Sequence, residues 1–501
     1  MSPSFTVATG TGFPLISGMA TVPAPPDPFG DVGAADFRER AHELVDWIAR
    51  YLDAPERYPV LPPLEPGATK ARLSHTPPQQ AEPLKRILED FETQVLPGLT
   101  HWNHPGFMAY FANTASAPGV LAEFLMAALN VNGMLWRTGP AATELEQVTT
   151  DWLRQLLGLT DGWFGMVNDL ASTSTLYALA AARERDASLD VRRKGLAGRD
   201  LPAMRIYCSQ HAHSSIDKAA MTLGIGLENV VRIEADAQFR MIPAALREAI
   251  AADRARGMTP IAVVATVGTT SITSVDPVAA IADICAEETL WLHVDGAYGG
   301  VAGAVPELRH LLDGVDRADS FVVNAHKWLF TPMDCSVFFT RRPDVLKRAF
   351  SLVAAYLETA EQDIVVNYMD YGFQLGRRFR ALKLWMVLRA FGAEGIAARI
   401  RHHCELAGTF ARWVQDAPGW DLAAPHPFST VCFRHVPAGL TPTEVNAHNA
   451  RILDRVNASG DIFISHTMLG PTYVLRVAIG NLRTGERHIA RAWALLREAA
   501  A

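Results

Sequence analysis

The chain has 501 residues, 49% of them apolar and 20% charged, with a formal net charge of -7. That length fills a large core and allows two or three domains, and the negative balance argues against a nucleic-acid or anionic-membrane partner, both of which recruit clustered lysine and arginine. Five scattered cysteines without a CxxC pair make neither a disulfide framework nor a zinc site, and no apolar run reaches the roughly 18 residues of a membrane span; a cytoplasmic chain without membrane contact is expected.

Residues 1–30 are rich in Gly, Pro, Ser and Thr and carry no charge before Asp27. They lack the basic start and compact apolar stretch of a secretory signal, so a disordered leader over 1–34 is expected. Helical spacing begins near Ala35, where apolar residues recur through Phe37, Leu44, Val45 and Ile48. Pro59, Pro62, Pro63 and Pro66 break it, and a second helix is predicted from about Pro83 to Leu96. From about Ala117 to Arg341, helix-period segments alternate with short β-rich runs, the clearest being Met204–Cys208, Ile261–Ala265 and Leu290–Val294. Such alternation predicts crossover units and a mainly parallel sheet buried on both faces. Beyond Leu375 the pattern predicts a long helix through Leu388, then a mixed α+β region.

The run Phe321-Val322-Val323 leads into Asn324-Ala325-His326-Lys327-Trp328. A lysine ending a buried strand is costly unless its amine is neutralised or paired. A Schiff base with an aldehyde cofactor solves that problem, and pyridoxal 5′-phosphate (PLP) is the usual one. That chemistry also needs an acid at the pyridine nitrogen, a phosphate cradle and a group that stacks on the ring. Asp295 ends the run Trp291-Leu292-His293-Val294, about one strand–helix–strand unit before Lys327, so the two can end neighbouring strands at one sheet edge. Ala171-Ser172-Thr173-Ser174-Thr175 opens a helical pattern whose free N–H groups suit a phosphate. The polar turn Gly268-Thr269-Thr270-Ser271 and His326 offer further donors. His213, in Gln210-His211-Ala212-His213-Ser214-Ser215, can stack on the ring. Two histidines at that spacing also suit a metal, but no third ligand is suitably placed, and none is expected.

Four segments carry a resemblance: His293-Val294-Asp295-Gly296-Ala297-Tyr298, Asn324 to Trp328, Leu375-Gly376-Arg377-Arg378-Phe379-Arg380, and Ser465-His466-Thr467 before Leu475-Arg476-Val477. From about Asp36 to Ala490 the chain closely resembles the PLP-dependent group II decarboxylases, specifically the aromatic-L-amino-acid decarboxylases. The resemblance implies a fold-type I α/β architecture with a mainly parallel seven-stranded sheet. It divides the chain into a helical N-terminal arm swapped between subunits (35–116), a large PLP-binding domain (117–382) and a small α+β C-terminal domain (383–501). It implies that Lys327 holds PLP, that Asp295 pairs with the ring nitrogen and that His213 stacks on the ring. Ala171, Ser172, Thr270, Asp276, Ala297, Asn324 and His326 fall at further cofactor-site positions.

Trp102, Tyr110 and Phe111 match the aromatic wall of the substrate pocket. Met134 lies where many relatives place an aromatic from the second subunit, and an obligate homodimer with interfacial active sites follows. Tyr356, in Ala354-Ala355-Tyr356-Leu357-Glu358-Thr359, matches the catalytic-loop tyrosine that protonates Cα after carbon dioxide leaves. Related aldehyde synthases usually carry Phe there, so Tyr356 with His213 favours plain decarboxylation of an aromatic amino acid over aldehyde formation. Leu170 departs from the family pattern, costing the phosphate cradle one hydroxyl.

Overall fold

Alternate residues of the β-rich runs enter two different apolar cores. Val263, Ala265, Leu292, Val294, Phe321 and Val323 pack into one, while Ala262, Val264, Trp291 and Val322 pack into another. Strands buried on both faces in this way form the middle of a sheet layered between helices. The computed structural model describes residues 31–352, 361 and 364–501. Its large sheet contains β1 (Phe164–Asn168), β2 (Met204–Ser209), β3 (Val230–Ile233), β4 (Thr259–Thr266), β5 (Trp291–Asp295), β6 (Ser320–Val323) and β7 (Ser336–Thr340). The spatial order is β1-β7-β6-β5-β4-β2-β3, and only β7 runs against the others. This is the seven-stranded, mainly parallel α/β architecture expected.

Parallel neighbours end on the same edge of a sheet, so β2, β4, β5 and β6 deliver their following residues to one place. The register aligns Thr266 with Asp295 and Asp295 with Val322. A second, antiparallel sheet comprises β8 (Trp420–Leu422), β9 (Thr430–His435), β10 (Ser465–Leu469) and β11 (Thr472–Ala478), in the order β10-β11-β9-β8. It carries its own core, with Phe410, Val431, Ile452, Leu475, Val477 and Ile489.

The long C-terminal helix differs from expectation at both ends. It runs from Ala381 to Asp416, interrupted at Gly392, whose φ of 64° and ψ of 168° lie outside helical space. Residues 376–380 are held out of it by tertiary bonds: Arg377 N–H donates to Asn132 at 3.0 Å, and its guanidinium grips Glu146 and the Val167 carbonyl at 2.7 and 2.8 Å. The helix outlasts Leu388 because a buried apolar stripe continues through Ile396, Ile400, Leu406, Phe410 and Val414. The expected boundary between 382 and 383 therefore falls inside it. The second predicted helix is shorter and less regular, Leu84–Asp90 followed by a π turn through Val95.

The N-terminal helix, Ala34–Asp53, buries none of its residues. Residues 101–111, by contrast, are woven into their own chain. Met108 N–H donates to Phe463 O, Phe463 N–H to Gly106 O and Ala478 N–H to Met108 O, at 2.8–2.9 Å. Among the described residues no helix is long and apolar enough to cross a membrane.

Three deeply buried histidines use Nδ1 as an acceptor: His104 from Gly106 N–H, His326 from Cys335 N–H and His403 from the Trp328 indole, at 2.9, 3.1 and 2.9 Å. Protonation would break each bond, and burial pushes their titrations down to about 4, 4 and 3. Fully buried His293 is likewise pushed to about 4 by burial. The unfolded chain binds protons near pH 6.5 that these rings refuse when folded, so stability is complete above about pH 6.5 and declines as pH falls toward about 4. We expect the unfolding free energy to fall by about 1.4 kcal/mol per histidine per pH unit in that window. Thermal melts at stepped pH check this, and a melting temperature flat from pH 7 down to about pH 4.5 would contradict it.

Candidate active site

Asp295 is the last residue of β5, and the chain leaves it through Gly296, where a Cβ would lie 2.4 Å from the Phe321 ring. Phe321 is fully buried, so a side chain at this position would collide with its ring. Asp295 is 6% exposed. One carboxylate oxygen accepts the Ala297 N–H at 3.0 Å, and its carbonyl accepts the Val267 N–H at 2.9 Å. The second oxygen has no protein donor among the described residues, so it is free for a ligand donor.

On the adjacent strand, Asn324 N–H donates to Ala297 O at 3.1 Å, tying the ends of β5 and β6 together. Asn324 caps the short helix Ala325–Trp328, and Lys327 N–H returns to Asn324 O at 3.0 Å. The Lys327 amine makes no ion pair among the described residues and stands over the Phe111 ring, 5.0 Å from its centroid. Burial pushes it down to about 8, with the Asp295 carboxylate opposing and the Arg476 guanidinium adding. A lysine in that range holds far more free base at neutral pH than an ordinary one, the form that attacks a carbonyl.

His213 follows β2 and precedes the helix Ser215–Thr222. Its Nδ1 accepts the Ser215 N–H at 3.0 Å, which leaves Nε2 as the nitrogen bearing the proton. Burial lowers its titration, Asp295 opposes, and Lys327 lowers it further, so the three groups feel one another across the strand ends. At the edge of the sheet, β1 leads through Asp169-Leu170 to the helix Ala171–Glu184. Ser174 and Thr175 fasten that helix start, to Asn168 and to the Ala171 carbonyl, both at 3.0 Å. Ser172 remains open to solvent, beside a helix N-terminus whose dipole favours an anion. Leu170 supplies no hydroxyl there.

His326 is buried and neutral, with Nδ1 bound to Cys335 N–H. Thr270 is exposed in the turn after β4, whereas Thr269 is buried and bonded to Ser274. Asp276 offers no free oxygen. Met241 N–H takes one and Thr266 N–H the other, each at 2.8 Å, so it supports the end of β4 from beneath. Burial raises its carboxyl to about 6.

Phe111 is buried against Tyr298, but Trp102 and Tyr110 are 36% and 56% exposed. Met134 packs with Leu135 and Met369, its carbonyl accepting Met369 N–H at 3.2 Å. Tyr356 lies outside the described residues. Sequence reasoning gave no role to Arg476, Tyr298 or Trp328. Arg476 carried a signal, a charge inside the apolar run Val474-Leu475-Arg476-Val477 of β11.

The donor set fits pyridoxal phosphate. A free carboxylate oxygen at Asp295 suits a ring N–H, an unpaired amine at Lys327 suits an aldehyde, and a helix start suits a phosphate. Asn324 Oδ1 is buried without a partner, an acceptor awaiting a donor.

Comparison with known proteins agrees. A family profile described as the pyridoxal-dependent decarboxylase conserved domain matches residues 66–436. A tyrosine decarboxylase 2 of Arabidopsis thaliana is 40% identical over 476 residues, 92% of this chain and 86% of that protein. A phenylacetaldehyde synthase of the same plant is 39% identical, over 93% of this chain and 96% of that protein. The crystal structure of Oryza sativa TDC with PLP and tryptamine superposes with a TM-score of 0.90 at 35% identity, covering 94% of this chain and 99% of that one.

Asp276→Asn separates support from ligand contact. The amide keeps one acceptor for two buried N–H donors, so the variant is expected to lose about 1–3 kcal/mol of stability. Chemical denaturation measures this, and a variant as stable as the parent would show that the two bonds carry no weight.

Proposed function

The chain belongs to the pyridoxal-dependent decarboxylases, and from that premise we propose that it removes carbon dioxide from an aromatic L-amino acid, releasing an arylalkylamine. The observation that carries this reading is the pairing of a free carboxylate oxygen at Asp295 with an unpaired, depressed amine at Lys327 on neighbouring strand ends. The aromatic substrate class is supported by the aromatic side chains Trp102, Tyr110 and Phe111 on the arm and by relatives named for tyrosine decarboxylation and phenylacetaldehyde synthesis.

When bound, pyridoxal phosphate supplies an aldehyde that joins amines and a ring that takes up the electron pair left when a Cα bond breaks. The residues assigned to hold it are Lys327 at the aldehyde, Asp295 at the ring nitrogen, His213 at the ring, and Ala171, Ser172 and His326 at the phosphate. Asn324, Ala297, Thr270 and Asp276 complete the surround. Lys327, as a free base, would be the amine that joins the cofactor aldehyde and competes with the substrate amine for it. Asp295 would hold the proton of the ring nitrogen by offering it an acceptor oxygen. His213 presents Nε2–H toward the substrate carboxylate. Tyr356 delivers a proton to the substrate's Cα after carbon dioxide departs.

The same reading makes the chain a cytoplasmic homodimer with shared active sites, Met134 facing the partner's pocket, and divides it into the arm, large domain and small domain set out above. Apolar surface supports the dimer. Phe37, Leu44 and Val45 on the N-terminal helix, with Leu121, Phe124, Leu125 and Leu129 on the helix Ala117–Leu129, are all exposed in the single chain. Patches of that kind mark surfaces that a partner covers.

Incubating the protein with tryptophan, phenylalanine, tyrosine and dihydroxyphenylalanine in one tube, with pyridoxal phosphate, should yield the matching amines and carbon dioxide. Lys327→Ala should lose the visible absorbance of the bound cofactor and all turnover; retained activity overturns the assignment. Tyr356→Phe should divert product toward aldehyde, with peroxide and ammonia appearing alongside carbon dioxide. If the unaltered chain already releases them in equal amounts to carbon dioxide, it is an aldehyde synthase instead.

A further inference from the structure

Arg476 sits in β11 with 3% of its surface exposed. Its Nε donates to the Ser271 carbonyl at 2.9 Å, and Nη1 donates to the Tyr110 carbonyl. Nη2 is buried with no acceptor, and no carboxylate pairs with the guanidinium among the described residues. An arginine stays charged inside a protein, and burying that charge without a counter-ion is expensive.

What the guanidinium meets is the Phe111 ring, with Cζ 4.7 Å from the centroid that the Lys327 amine approaches at 5.0 Å. Tyr298 lies almost flat on that ring, 3.9 Å away and inclined by 17°, so one face is covered and both cations lie against the same ring. Tyr298 stacks in turn on Trp328 at 4.8 Å, and Trp328 is anchored through its indole N–H to His403. One aromatic column therefore fixes the ring, and the lysine beside Trp328, relative to the buried arginine.

We propose that Arg476 is a positioning residue acting through Lys327: its uncompensated charge, seated against Phe111, disfavours the ammonium form and keeps the amine a free base able to capture the cofactor aldehyde. This deepens the reading of Lys327 given above and rests on it. The groups acting on that amine come from four directions. Asp295 from β5 favours the ammonium, His326 beside it is neutral, His213 after β2 has its titration lowered, and Arg476 from β11 is the fixed positive charge. The lowering of the lysine toward about 8 by burial and by Arg476 agrees with that geometry. A receptor for the substrate carboxylate would need an open nitrogen, whereas Nη2 is enclosed.

The test uses the full-length chain stripped of cofactor, labelled competitively with acetic anhydride across neutral and alkaline pH. Acetylation of Lys327 is read by peptide mass spectrometry. The parent should show a midpoint near 8, well below the ordinary 10.5. Arg476→Gln keeps a donor for the Ser271 carbonyl but removes the charge. Its midpoint should rise, and each pH unit of rise leaves about tenfold less free base at neutral pH and slows uptake of pyridoxal phosphate by the same factor. Arg476→Lys keeps the charge and should stay near the parent.

A parent midpoint near 10.5 overturns the proposal without any variant, as does an unmoved Arg476→Gln midpoint. A shift in Arg476→Lys as large as in Arg476→Gln overturns it too, because structure and not charge would then be responsible. If Arg476→Gln does not fold, Arg476→Met, which also removes the charge while keeping a buried stem, takes its place in the same comparison. An Arg476→Gln variant with raised KM for the amino acid and an unmoved midpoint makes Arg476 a substrate receptor, which also overturns it. Failure of the Lys327 reading shows separately, as covalent pyridoxal phosphate on Lys327→Ala, and leaves the labelling result standing.

Discussion

Everything at the site depends on parallel pairing between β5 and β6. Parallel strands end on the same side, so a carboxylate finishing one and a lysine shortly after the other reach a common space without any loop having to search for it. The Asn324–Ala297 bond then locks the two exits together, and the glycine at 296 leaves room for the Phe321 ring beneath the exit of β5. β4 contributes by holding the Asp295 carbonyl through Val267, and Asp276 holds β4. A chain of hydrogen bonds, backbone to backbone except at the Asp276 and Asp295 carboxylates, thus runs from Met241 to Lys327.

Electrostatics follow from that placement. A buried acid and a buried base side by side would ordinarily neutralise one another as an ion pair. Here no ion pair forms among the described residues. One acid oxygen is taken by a backbone N–H, and the amine faces an aromatic ring. The nearby histidines 293 and 326 are held neutral by burial, so they shape hydrogen bonding without adding charge. The site is left with one free anionic oxygen, one reactive amine and a helix N-terminus, three features that a flat, phosphorylated heterocycle satisfies together.

Much of this was legible in the sequence, for a definite reason. β4, β5 and β6 are apolar runs, broken within only by His293, that lead into polar residues, a pattern that two-sided burial enforces, and Lys327 and Asp295 sit at those ends. The strands β1 and β3 were harder to read, because Phe164-Gly165-Met166-Val167-Asn168 and Val230-Val231-Arg232-Ile233 are short and interrupted by glycine or arginine. The start of the long helix was misplaced because Arg377 is claimed by Glu146 and Asn132, partners some 230–250 residues away in sequence. Arg476 was visible as an oddity but not as a neighbour of Lys327. That proximity exists only once Phe111 is brought against both, and no local pattern encodes a meeting of residues 111, 327 and 476.

The division of labour among the arm aromatics bears on specificity. Phe111 is committed: Tyr298 covers one face and two cations lie within 5.0 Å of the ring centre, so its shape serves the amine first. Trp102 and Tyr110 are not committed in this way. Trp102 stacks on Phe107, Tyr110 leans on Phe463, and both keep substantial exposed surface. In the proposed pocket, a wall that is half open in the single chain would take its final outline from whatever closes over it. In the proposed dimer that includes the partner's Met134, a flexible thioether that adapts to different side chains more readily than a rigid ring would. Bond cleavage would then be set by the rigid strand ends, and the choice among aromatic rings by the loosely packed rim.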